Sequence, residues 1–383
     1  MDSISTFEIL IVFITRCIPI WISLAIAFGC LFYWKNKLGL LGRLCNSPIG
    51  LVGLSIVLFW IFGAIFADFI ALFDPYEQSG MFRRKPPGTI NTKVDIPYIF
   101  GTDTLGRDLF SRMIYGSQIV LLIAPAATIV AYVVGISLGL PAGYIGGRAD
   151  VILSFLANLV LAFPVILLFY LLVAPGIRET ILPNIMAGVF FLFPILFALL
   201  ITYSRYSERL SILLPASVII IIFGSWLYSG LVFNADPLGW VSIDPNELNI
   251  FAAVVFTTSP GVFRIVRGLT MDIKTRDYVS SAITRGESNS FIMIWEILPN
   301  ARGPLIVDSC LRIGYVTILL GTLGFFGLGM EPESPDWGSM INQTRSYIRL
   351  VPTIVLPATL ALASFVLGLN LLADGLREQS LKD

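Results

Sequence analysis

Histidine is absent from all 383 residues of this chain, which removes His general bases, His metal ligands and Ser/His/Asp triads together. Charge is scarce as well. Asp, Glu, Lys and Arg make up 13% of the residues, their formal net charge is zero, and no long basic run is present to hold a nucleic acid. Cys17, Cys30, Cys45 and Cys310 form no Cys-x-x-Cys pair and lie in or beside apolar segments, so they read as small buried hydrophobes rather than disulfide or metal groups. No Gly-x-x-x-x-Gly-Lys-Ser/Thr occurs. The chain therefore has no Walker loop for nucleotide phosphates, and any energy from ATP must arrive through a partner. Nothing in the sequence implies a metal or cofactor, or a catalytic residue.

What is plentiful is apolar. Hydrophobic residues reach 56% and the mean hydropathy is +0.85, outside the range of a soluble globular chain. Runs near the 20 residues needed to cross roughly 30 Å of hydrocarbon fall at about 17–34, 49–73, 117–145, 151–174, 183–203, 210–233, 250–268, 303–329 and 351–375. Barrel strands are about ten residues long and alternate, so these continuous runs are helices. The expected fold is an all-α polytopic membrane protein with about nine transmembrane helices.

Positive charges in the short loops orient the spans. Lys35, Lys37, Arg43, Arg148, Arg205 and Arg209 mark cytoplasmic loops, whereas 234–249 carries Asp236, Asp244 and Glu247 with no Lys or Arg. Nine spans with a cytoplasmic C-terminus put the N-terminus outside, and Arg16 can then snorkel to the outer interface ahead of 17–34. A rival reading takes the first run as a signal peptide, with Ala25-Ile-Ala27 as its cleavage site.

Local patterns have plain readings. Gly135-Ile-Ser137-Leu-Gly139 matches a hydrolase elbow but lies inside a span of a chain with no His. Gly135, Gly139 and Gly143 recur every fourth residue and form a small-residue stripe for close helix packing. In Gly321-Thr-Leu-Gly324-Phe-Phe-Gly327-Leu-Gly329 the glycines either let helices approach or let a span bend as a pore opens. Residues 269–302 are different: a polar stretch between two apolar ones that keeps a helical pattern, carries both signs of charge and has Gly286 in mid-pattern. Such a loop is suited to be gripped by another protein.

Six motifs now fall in one order: Gly101-Thr-Asp103-Thr-Leu-Gly106-Arg107-Asp108-Leu-Phe-Ser-Arg112; Ser259-Pro260-Gly261 with Arg264 and Arg267; Leu298-Pro299-Asn300; Phe326-Gly-Leu-Gly329; Trp337-Gly338; and Asn370-Leu-Leu-Ala-Asp374-Gly375-Leu-Arg377. In this order they resemble the dipeptide/oligopeptide permeases, membrane subunits of binding-protein-dependent ABC importers, over about 49–174 and 250–383. The resemblance implies a type I ABC importer permease fold of six common helices plus three extra ones. It divides the chain into an extra helix and linker (1–48), a first core part (49–174) with an external segment 74–116, an inserted helix pair (175–249), and a second core part (250–383) with a cytoplasmic coupling loop 269–302.

The partners implied are a second homologous permease subunit, two ABC ATPase subunits, an extracytoplasmic substrate-binding protein and the lipid bilayer of a prokaryotic inner membrane. Peptides are the implied substrate, with nickel chelates, opines or oligosaccharides carried by similar permeases. A self-sufficient secondary transporter is the alternative outside the family, and the lack of an inverted repeat counts against it. The family's Glu-Ala-Ala-x-x-x-Gly signature falls on Ser280-Ser281-Ala282-Ile-Thr-Arg-Gly286, so the resemblance assigns ATPase coupling to Arg276, Asp277, Ser280, Ser281, Ala282, Gly286, Leu298 and Pro299. Ser280 and Ser281 depart from the usual Glu and Ala, Glu296 stands where His is usual, and the inserted spans are expected to face lipid.

Two charged clusters complete the candidates. Gly101, Asp103, Gly106, Arg107 and Asp108 suit an ordered turn leading into a short interfacial helix. There Asp103 either caps that helix while Arg107 pairs with a carboxylate, or the segment docks the binding protein. Asp308 and Arg312 lie four apart on one helical face, with Arg312 on the order of 12 Å inside the end near Pro304. Similar permeases usually have uncharged residues there. The pair is expected to border the translocation path or to fix helix register.

Overall fold

Proline and glycine, more than hydropathy, decide where the helices of this chain begin and end. The computed structural model describes residues 3–178, 180–240, 243–328 and 333–380. Its helices are α1 (Thr6–Arg16), α2 (Ile18–Tyr33), α3 (Pro48–Ile65), α4 (Leu109–Ile145), α5 (Gly147–Ala162), α6 (Val165–Val173), α7 (Leu182–Tyr206), α8 (Leu210–Phe233), α9 (Pro245–Ile273), α10 (Asp277–Thr284), α11 (Asn289–Phe325), α12 (Trp337–Thr344) and α13 (Leu356–Ser380), with some shorter turns between them. A two-residue antiparallel hairpin pairs β1 (Ile90–Asn91) with β2 (Ile96–Pro97). Among the described residues seven helices are each long and apolar enough to cross a membrane, and the bent pairs α1–α2 and α5–α6 raise the number to nine.

Three boundaries differ from the apolar runs. The run 151–174 is broken by 89° between α5 and α6, because Pro164 lacks an N–H and holds Phe163 in an extended conformation (φ −77°, ψ 141°). α4 starts at Leu109 rather than near 117, so no separate interfacial helix precedes it. α13 begins at Leu356, with Pro357 in its first turn, and runs past the apolar run to Ser380. Hydropathy senses hydrocarbon, whereas a helix continues through polar residues until its hydrogen bonds stop.

The chain forms two units, one of Met1–Pro125 with Val307–Asp383 and one of Ala126–Ile306. In the first, α3 and α13 come so close that a Cβ on Gly375 would overlap the Gly50 backbone, and one on Gly53 would overlap that of Leu372. Trp337 packs edge-on against Trp60 at 4.9 Å and against Phe365 at 6.2 Å between ring centroids, and its Nε1 donates to the Met113 carbonyl (2.9 Å). The cysteines are all free, but only Cys17 is buried; Cys30 is exposed, because α2 packs on one side and buries Ile20 alone.

In the second unit the glycine stripe of α4 meets α9. A Cβ on Gly135 would stand 2.5 Å from Val262 Cγ1, one on Gly139 2.9 Å from Val266 Cβ, and one on Gly143 2.7 Å from the Arg267 carbonyl. The absence of side chains is what lets these backbones touch. α7 also lies on α9, where Phe191 stacks on Phe251 (5.3 Å, 9°) and Ala187 is buried against Leu248 and Ala252. α8 turns Leu214, Ile219 and Ile222 outward.

Candidate functional site

The polar loop between α9 and α11 is anchored from both ends within the second unit. Arg267 holds Asp150 through two hydrogen bonds, one of them Nη2 to Oδ2 at 2.7 Å, and Arg264 Nη2 donates to Asn158 Oδ1 (2.7 Å). Lys274 Nζ donates to the Gly143 carbonyl (2.8 Å). That carbonyl belongs to the last turn of α4, where a cation is favoured by the helix dipole. Asp150 and Lys274 carry much of this anchoring, yet sequence reading singled out neither. Only their opposite charge at the polar ends of two apolar runs could have suggested it.

α10 follows after a three-residue turn. Its inner face places Val279 and Ala282, both fully buried, against Ile273, Ile292, Ile297 and Ala301. Its outer face presents Arg276, Asp277, Ser280 and Ser281, all exposed. Asp277 in the first turn complements the helix dipole. The helix ends in a Schellman turn: Gly286, at φ +80°, donates to the Ile283 carbonyl (3.0 Å), and Glu287 N–H donates to that of Ala282 (3.3 Å). Arg285 beyond it pairs with Glu296 (3.0 Å), which gives the Glu at the usual His position a local partner.

Leu298 and Pro299 lie in α11 directly after a π-helical turn, Ile292–Ile297. Pro299 cannot donate a backbone hydrogen bond, and a locally widened turn is a common accommodation. Leu298 is half-buried and Pro299 exposed. The structure thus places Arg276, Asp277, Ser280, Ser281 and Gly286 on one accessible surface, with Ala282 beneath it.

The residues around Gly101–Asp108 are instead internal. Asp103 accepts from the backbone N–H groups of Leu105 (2.8 Å) and Arg107 (2.9 Å), and its Oδ2 pairs with Arg107 Nε (2.7 Å). Arg107 Nη2 reaches Gln343 Oε1 (2.7 Å), while Arg112 donates to the carbonyls of Pro75 and Ser334. Asp103, Arg107, Asp108 and Arg112 are each at most 1% exposed. Gly106, at φ +82°, lies against the Ser79 carbonyl where a Cβ would overlap, and Gly101 is likewise at positive φ. Asp108, not Asp103, caps α4, accepting from Ser111 N–H (2.8 Å).

Burial pushes the Asp108 carboxyl up to about 6, and its Oδ1 has no partner among the described residues. The folded protein therefore holds this proton more tightly than the unfolded chain does. The resulting stability is fully present below about pH 4 and is lost as pH rises through about 6, on the order of 3 kcal/mol in all. Asp108→Asn should keep the cap and lose this pH dependence, so its melting temperature should gain on that of the parent protein between pH 4.5 and 7. Parallel denaturation profiles in detergent would show that Asp108 does not titrate there.

Arg312 Nε lies 2.6 Å from Asp308 Oδ2 in the middle of α11, with both side chains largely shielded. Farther along, Gly321 and Gly324 receive the backbone of α12 at Gly338 and Ser339. Gly327 (φ +77°) closes α11 with a Schellman turn, in which Leu328 N–H donates to the Leu323 carbonyl. These contacts favour packing over bending at Gly321 and Gly324; Gly329 lies outside the described residues.

Long apolar helices with a small amphipathic helix carried in one loop fit the all-α, multi-pass fold of a type I ABC importer permease. The chain is similar to the dipeptide/oligopeptide permeases of that class over most of its length. The family of binding-protein-dependent transport system inner membrane components matches residues 202–380, and the N-terminal transmembrane domain of oligopeptide transport permease C matches 35–87. A di/tripeptide transport system permease protein of Pseudomonas aeruginosa is 29% identical over 326 residues, 85% of each chain. A dipeptide transport system permease protein of Haemophilus influenzae is 29% identical over 347 residues, 91% of each. A glutathione transport system permease protein of Pectobacterium atrosepticum is 28% identical over 304 residues, 79% of this chain and 78% of its own. The protein is a component of the bacterial inner membrane.

Proposed function

We propose that this chain forms half of the translocation pathway of an ATP-driven importer of peptides. An extracytoplasmic binding protein delivers the peptide, a second homologous permease completes the pathway, and two ATPase subunits drive it. The observation that carries the reading is α10. Its apolar face is fixed to the helices on either side of its loop while its polar face is free, so a partner that grips the outer face moves α9 and α11 with it. Closure of two ATPases around nucleotide would then switch the spans between inward-open and outward-open states. Affinity purification of the tagged chain from membranes should bring down two ATPase subunits and a second permease. Recovery of the chain alone, with transport activity intact, would sink the reading in favour of a self-sufficient transporter. The peptide substrate rests on the names of similar permeases.

Asp308 and Arg312 border the path in this reading and meet a charged or zwitterionic substrate. A membrane-embedded ion pair normally faces a protein interior or a wet cavity rather than lipid. Asp308→Asn combined with Arg312→Gln removes both charges at nearly constant shape. Transport should fall by about tenfold, the scale of losing one charge-assisted hydrogen bond, while assembly stays normal. Normal rate and selectivity would leave the pair with a packing role only.

A further inference from the structure

The turn between α7 and α8 does not stop at the membrane surface as a bare connection. Its residues 204–209 and the turn that ends α10 enclose a polar cleft of about 790 Å³, lined by Arg205, Glu208, Arg209, Arg285, Glu287 and Phe291 among others. The α7 end is fastened to α11: Trp295 Nε1 donates to the buried Ser204 Oγ (3.0 Å), and the Arg205 guanidinium lies over the Trp295 ring at 4.6 Å from its centroid. Arg285 is engaged by Glu296 and Glu287. Glu208 and Arg209, in contrast, are exposed and have no side-chain partner among the described residues.

We infer that the α7–α8 turn is a second docking element for the ATPase subunit, and that this cleft receives a loop of that subunit beside α10. The inference rests on the coupling role proposed above for α10. Three observations support it. The cleft adjoins the C-terminal end of α10, since Arg285, which caps that helix, and Gly286 and Glu287, which close its terminal turn, line it. Its free charges, Glu208 and Arg209, are of opposite sign and adjacent, which suits a polypeptide loop bearing both signs rather than a ligand of one sign. Finally, the Trp295 contacts tie the turn to the helix that follows α10, so a load on α10 is shared with the α7–α8 hairpin. A helix pair expected to be lipid-facing thereby gains a part in coupling, and supplies charge beside a helix that carries Ser280 and Ser281 where the family usually has Glu and Ala.

The test is photo-crosslinking in membranes that contain the ATPase subunits, with benzoylphenylalanine in place of Ser280, Arg209 or, as a lipid-facing control, Ile219. Adducts to the ATPase from positions 280 and 209, but not 219, are expected. An adduct from 280 alone would overturn the inference and leave the coupling role of α10 standing. Absence of adducts from both would overturn the two together, and an adduct from 209 to lipid would assign the cleft to the membrane instead. In parallel, Glu208→Lys with Arg209→Glu should weaken retention of the ATPase by about fivefold, as reversal of rim charges does, with unchanged insertion. Unchanged retention would count against the inference.

Discussion

Arg107→Ala should leave little folded protein in the membrane. The guanidinium is fully buried and is held by Asp103 and Gln343, so its removal strands the Asp103 carboxylate with Arg112 at 3.9 Å as its nearest cation. Breaking one side of a buried ion pair costs about 3–5 kcal/mol, a large share of a typical domain's stability. Yield after membrane extraction and protease resistance of the segment 74–108 are the measurements. Arg107→Lys should be intermediate, since an ammonium can reach Asp103 but lacks the fork that also holds Gln343. A variant that assembled normally yet lost affinity for the binding protein would restore the docking role to this segment.

On the coupling role proposed for α10, Gly286→Val should uncouple transport from ATP hydrolysis without removing the chain from the membrane. Nothing lies within 4 Å of a Cβ at this position, so the penalty is conformational rather than steric. A left-handed backbone costs an L residue roughly 1–2 kcal/mol, more for a β-branched one. Relaxing that strain unwinds the Schellman turn and turns the outer face of α10 away from its partner. On the order of tenfold loss of transport-coupled ATP hydrolysis is expected, 1.4 kcal/mol being a factor of ten. Gly286→Asn, which tolerates this conformation, should retain most of the activity. Full coupled turnover in the valine variant would remove α10 from the docking assignment.

Features written in one stretch of chain were legible in the sequence. Seven of the nine expected spans followed from run length as single helices, the other two only if each bent pair counts as one span, and α10 with its terminal glycine followed from a polar helical pattern closed by Gly286. The Gly135, Gly139 and Gly143 stripe implied a close neighbour, although it could not say that α9 was that neighbour. Features that depend on distant partners were not legible. The break at Pro164 sits inside an apolar run that hydropathy counts as one span. The exchange of caps from Asp103 to Asp108 depends on where α4 starts, and that start is buried under residues far along the chain. Arg267 meets Asp150 across 117 residues, and Trp295 meets Ser204 across 91. Such pairs leave no periodic signature.

The glycine stripe of α4 also limits which parts of the second unit can move. Over the eight residue steps from Gly135 to Gly143, about 12 Å of helix, α4 and α9 are in close contact at the glycines. Prying them apart would open a crevice too narrow for an acyl chain and too apolar for water. Sliding one past the other would carry Val262 and Val266 off the glycines and onto the side chains between them. The seam is therefore a weld rather than a bearing, and the Gly135–Gly143 stretch of α4 is expected to move with α9 as one body. Displacement within this unit is left to its looser joints, such as the right-angled break at Pro164 and the outward-facing α8. Spin-label distances across the seam should stay constant between nucleotide states, while those spanning the break at Pro164 change.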